Sequence, residues 1–219
     1  GLAGVAGGLL YGLGASPDPL KPAVGAASFL LVMLSVNVLA AAIGGFGIGA
    51  GIAAAHRIGG PKMPWTVVGG AVGGLIVGGS VKMLGVDAFS VLLGKAPLAI
   101  AGGFEGMVLG AAFGFGSHLS LARVRSWPSI SGAAVAVGIA GGLLPLLGGR
   151  LMGASLDSLA EAFPNSPLNI DGLGHWFGES HFGLVSQTVF GAIEGFLLGA
   201  AIAYAIRYAN NLLRELEAA

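Results

Sequence analysis

The 219-residue chain contains no cysteine. Disulfides, thiolate metal sites and cysteine nucleophiles are therefore excluded, and the redox compartment stays open. Charge is almost as scarce. Asp, Glu, Lys and Arg make up 9% of the residues, against about 25% in soluble domains. The ten basic and ten acidic residues cancel. Such a chain cannot clothe a soluble surface, present a basic face to nucleic acid, or stay solvated as a disordered polymer. Proline numbers only 10 and no three-residue glycine period occurs, so collagen is excluded too.

What is present is apolar. Hydrophobic residues are 55% of the chain and the mean hydropathy is +0.88. Glycine contributes 42 residues. In lipid, spaced small residues let helix backbones approach closely. An all-α integral membrane protein follows. The chain opens inside apolar sequence, Gly1 to Gly14, with no initiator Met and no basic n-region, unlike a signal peptide. This start suggests a segment cut from a longer protein, or a processed form of one, with room for a cytosolic domain upstream of Gly1.

Internal similarity sets the architecture. Gly4–Gly12 and Gly70–Gly78 both read G-x-x-G-G-L-x-x-G, and a weaker copy centres on Gly141-Gly142-Leu143. Glu105–Ala112 and Glu194–Ala201 are identical at six of eight positions. Trp65 and Trp127 each stand five residues before a Gly-Ala pair. The expected fold is about six transmembrane helices in three tandem glycine-rich hairpin repeats. The repeats are 1–57, 58–125 and 126–208, followed by a tail, 209–219.

The paired apolar segments are 1–16 with 24–55, 65–85 with 98–118, and 130–149 with 185–207. Segment 24–55 is too long for one straight crossing and is expected to tilt, to break near Gly44-Gly45, or to project beyond the bilayer. Hairpin tips are expected at Ser16–Pro22, at Asp87–Pro97 as a short helix capped by Asp87, and in an enlarged outer loop, 150–184. That loop opens with a helix from Ser155 to Phe163, ended by Pro164. The packing contacts are assigned to Gly7, Gly8, Gly73, Gly74, Gly106, Gly110, Gly141, Gly142, Gly195 and Gly199.

Six basic residues fall in the linkers and tail (Arg57, Lys62, Arg123, Arg125, Arg207, Arg214) and four in or near the tips (Lys21, Lys82, Lys95, Arg150). The positive-inside rule then puts both termini in the cytoplasm and the tips outside.

Glu105 and Glu194 read as carboxylates well inside spans, where an ionisable residue costs at least a few kcal/mol and usually faces a bundle interior or a wet cavity. A gapless offset of 68 residues sets Asn37 opposite Glu105. These three are the candidate intramembrane polar site. They line an ion or proton path, act as protonated or hydrogen-bonded packing glue, or, for the glutamates, lie at the interface and not at depth. A second candidate, in Asp171–His181, is a metal site formed by His175, Glu179 and His181, because imidazole and carboxylate ligate transition metals. The competing reading is an interfacial loop with Trp176, Phe177 and Phe182 among lipid headgroups. His56 and His118 read as interfacial anchors.

No cofactor is expected and no catalytic residue stands out. Glycine spacing of this kind occurs in several membrane families and identifies none of them. The leading function is a channel or transport element. The alternatives are a structural anchor or scaffold subunit, and an interfacial enzyme using the 171–181 loop. The expected partners are the bilayer and further subunits, in a homo- or hetero-oligomer.

Overall fold

A computed structural model describes residues 1–14, 26–95, 99–122, 128–164 and 168–218. The turn expected at Ser16–Pro22 and the residues Arg123, Arg125 and Trp127 lie outside them. The described residues are helical, with no strand. The helices are α1 (Leu2–Gly14), α2 (Ala26–Gly59), α3 (Met63–Leu93), α4 (Gly103–Ala122), α5 (Pro128–Leu143), α6 (Met152–Ala162), α7 (Asp171–His175) and α8 (Leu184–Ala218). A short 3₁₀ turn, Pro145–Leu147, follows α5.

Four stretches are long and apolar enough to cross a membrane: Leu30–Gly59, Met63–Val91, Ser131–Ala162 and Leu184–Leu216. Leu2–Leu13 is a shorter apolar helix. At about 1.5 Å per residue, α2 is about 50 Å long, more than a hydrocarbon core of about 30 Å. Large apolar side chains such as Leu31, Leu39, Phe46, Ile76, Met83 and Val91 face outward. Helices apolar on both their inner and outer faces are compatible with a membrane protein.

The helices close a ring. α1 packs on α2, α2 on α3, α3 on α4, α4 on α5, α5 on α8, and α8 back on α1. α2, α4 and α8 also touch one another. Backbone meets backbone in the seams. A methyl on Gly74 would overlap the carbonyl oxygen of Gly106, and one on Gly70 that of Gly110. On the other face of α3, a methyl on Gly73 would overlap the carbonyl oxygen of Gly47 on α2. Between α5 and α8, Gly141 lies against Gly191, and Gly195 against the Val137 carbonyl. Gly8 lies against Leu34, and Gly7 only approaches the Asn37 side chain. Gly142 and Gly199 pack more loosely, on Ala192 and on Ala133–Ala134.

Glycines matched in sequence meet different neighbours in the structure. Gly4 packs on Asn37–Val38, whereas Gly70 meets Gly110. Gly73 meets Gly47 on α2, whereas Gly141 meets Gly191 on α8. Where small residues recur every four positions, sliding one turn sets small on small again.

Other expectations need correction. α2 runs unbroken through Gly44-Gly45. α3 continues through Asp87 to Leu93 and ends at Gly94, whose φ of 68° a Cβ would resist, so Asp87 caps nothing. The third apolar run does not continue to 149. It turns at Pro145–Leu147, and Gly148, with φ of 79°, redirects the chain into α6, which begins at Met152 rather than Ser155. The expected outer loop folds inward. Leu156, Leu168, Ile170, Leu173 and Phe182 form one buried cluster with Tyr11, Met33 and Phe190. Phe182 is therefore a core residue, whereas Trp176 is exposed.

Candidate functional site

Glutamate side chains receive the starts of three helices. The first N–H groups of a helix have no partner within it, and their partial positive charge favours a carboxylate. Glu105 lies in the first turn of α4, not deep within a span. Its Oε2 accepts the Gly102 N–H at 2.8 Å, the reciprocal arm of a capping box. Its Oε1 accepts the Arg150 N–H at 2.9 Å.

Glu194 lies well inside α8 and caps α6 from the side. Its Oε2 accepts the Met152 N–H at 2.8 Å and its Oε1 the Gly153 N–H at 3.0 Å. The Tyr11 hydroxyl also donates to Oε1. The stretch 150–153 is thus held by glutamates from two different helices. The Arg150 guanidinium donates to Ser158 Oγ. Ser155 adds a further tie by accepting the Ala101 N–H at 2.9 Å.

Glu179 serves α8. It accepts the Val185 and Ser186 N–H groups at 3.0 and 2.9 Å, and the Ser186 hydroxyl. The Ser186 hydroxyl bond, with the two N–H bonds behind it and against a smaller opposing effect of burial, holds the Glu179 carboxyl below the usual glutamate range. This occupation answers the metal expectation. Among the described residues no three His, Asp or Glu side chains converge to hold a metal. His181 Nδ1 instead faces Ser180 Oγ, and Gly178, with φ of 75°, ends the short turn after His175. His56 pairs with Thr66 at 2.8 Å, joining α2 to α3.

The site itself is a partly open cavity of about 220 Å³ inside the ring. Asn37 of α2, Glu105 of α4 and Glu194 of α8 all line it. The walls are apolar, including Leu10, Ile48, Val77, Leu109 and Leu198. Among the described residues no Lys, Arg or His lines it. Asn37 is 5% exposed. Its Nδ2 donates to the Met33 carbonyl at 2.8 Å. Its Oδ1 accepts no hydrogen bond among the described residues. Oδ1 lies beside Gly7 of α1, which lines the same cavity.

Sequence reasoning missed Tyr11 and the backbone donors at 150–153. Tyr11 left a signal, because a phenol inside an apolar helix needs a partner for its O–H. The backbone donors left none. Comparison with protein-family models, curated proteins and solved structures finds no match to this chain.

Proposed function

We propose that the chain is a non-enzymatic membrane transport element, with the central cavity as its substrate site. In this reading six spans form three tandem hairpins, held by the glycine seams. Both termini lie on the cytoplasmic side, and the bundle assembles with further copies or subunits in the bilayer. The observation that supports it is the convergence of Asn37, Glu105 and Glu194, from three helices, on one cavity with otherwise apolar walls. An ionisable residue well inside a span, as Glu194 is in α8, costs at least a few kcal/mol and usually faces a bundle interior or a wet cavity.

A scaffold reading has its own support, because every carboxylate oxygen of both glutamates already accepts a backbone N–H. Flux in reconstituted vesicles separates the two. Gln cannot ionise, and its NH₂ would face an N–H where the carboxylate oxygen accepted one. Glu105→Gln and Glu194→Gln therefore each cost about one hydrogen bond, roughly 1–2 kcal/mol, under both readings. Under the transport reading, proton or small-cation flux per folded molecule also falls by about tenfold or more in each variant. Absence of flux from the unaltered protein, or flux unchanged by both substitutions, leaves the scaffold.

A further inference from the structure

We propose that the central cavity binds a small primary ammonium ion with an apolar body. This rests on the cavity being the functional site, and it names the ligand class. The polar side chains that line the cavity are Asn37, Glu105 and Glu194, and apart from the Asn37 amide N–H groups and any carboxyl proton their polar atoms are acceptors. The second Nδ2 hydrogen of Asn37 is left as a donor beside them. The carboxylates have spare acceptor capacity. Each Glu105 oxygen takes one bond, and Glu194 Oε2 takes one. The Asn37 oxygen takes none. A ligand fitting this set brings hydrogen-bond donors, and an ammonium adds a charge that complements carboxylates.

A bare metal ion suits the site poorly. No three His, Asp or Glu side chains converge to hold a metal among the described residues, and the apolar walls cannot replace a hydration shell. An ammonium carries three donors on a compact charge, and the walls formed by Leu10, Ile48, Val77, Leu109 and Leu198 suit an alkyl or aryl tail. The volume is below the roughly 300–1,000 Å³ of sites for drug-sized ligands, so the tail is short.

The test compares three probes with one butyl tail on the whole detergent-solubilised chain, measured above partition into empty micelles. They are n-butylammonium, n-butanol, which has no charge, and n-butyltrimethylammonium, which has charge but no N–H. The expected result is saturable binding of n-butylammonium, at least about tenfold tighter than either analogue. Asn37→Leu should weaken it by about tenfold, because one neutral acceptor for a charged donor is lost. Asn37 caps no helix, and the Met33 carbonyl keeps its helical bond from the residue 37 N–H, so this variant spares the fold. Ala41→Leu, which adds bulk to the lining one turn along α2 from Asn37, should abolish binding. Equal binding of the alcohol or the trimethyl analogue, no saturable binding at all, or binding indifferent to Asn37→Leu and Ala41→Leu would overturn the proposal. Should a variant fail to fold, the probe comparison on the unaltered protein still decides. Binding without flux in vesicles would uphold the ligand class and remove the transport reading. Proton or inorganic-cation flux without ammonium binding would do the reverse.

Discussion

α4 and α8 carry nearly the same eight residues, Glu105–Ala112 and Glu194–Ala201, and both glutamates grip the stretch 150–153. Their settings differ. Glu105 opens its helix and bonds its own cap as well as Arg150. Glu194 sits several turns inside α8, where it receives the first two N–H groups of α6 and the Tyr11 hydroxyl. The seams differ too. Gly106 meets a glycine carbonyl on α3, and Gly195 meets the carbonyl of Val137 on α5. One local sequence therefore serves two structural tasks. What decides between them is where the helix begins and what the chain elsewhere supplies.

The sharpest way to break this comparison is to remove both acceptors. Glu194→Leu strands three donors, those of Met152, Gly153 and Tyr11, at a cost of about 1–3 kcal/mol each before relaxation. We expect a loss of about 4 kcal/mol or no recoverable fold, read by thermal unfolding in detergent. Gly74→Val, which imposes on the α3–α4 seam the residue found opposite Gly195, should cost about 3 kcal/mol, because its Cβ meets backbone that cannot move aside. Glu105→Leu strands two donors at a helix start and should cost about 2 kcal/mol, less than Glu194→Leu. Equal losses at the two glutamates would erase the distinction between them. Tyr11→Phe removes only the extra donor at Glu194 and should cost about 1 kcal/mol.

The smallest effect concerns the third capping glutamate. Because the folded-state pKa of Glu179 is lowered, its contribution is fully present above the ordinary glutamate pKa. It is lost as pH falls through the lower folded value. Glu179→Gln should therefore flatten the acid side of the stability profile, with melting followed between about pH 6 and pH 3.

Helical class and apolar character were legible because composition alone dictates them. The candidate polar residues were legible because carboxylates are conspicuous in apolar runs. The 68-residue offset paired Asn37 with Glu105, and both line the same cavity. The register of the glycine seams was not legible, since glycines four apart match equally well after a one-turn slide. The end of α5 was missed because Gly148 and Gly149 read as more of the same small-residue helix. The inward fold of 150–184 was missed because its polar residues suggested solvent. Leu168, Ile170, Leu173 and Phe182 instead bury against Tyr11 and Phe190, residues far away in sequence. Glu179 looked like a metal ligand because nothing local shows that its carboxylate is spent on the first turn of α8.

The central claim is that Asn37 shares one accessible cavity with both glutamates. The absence of cysteine makes a direct measurement clean: Asn37→Cys in this chain, labelled by cationic and anionic methanethiosulfonate reagents, with each rate divided by its rate on a free thiol. The account predicts a preference for the cationic aminoethyl reagent over the anionic sulfonatoethyl one of about tenfold or more, a preference that collapses when Glu105→Gln and Glu194→Gln are added. A thiol that reacts with neither reagent, or with both at normalised rates that ignore the two glutamates, would contradict it.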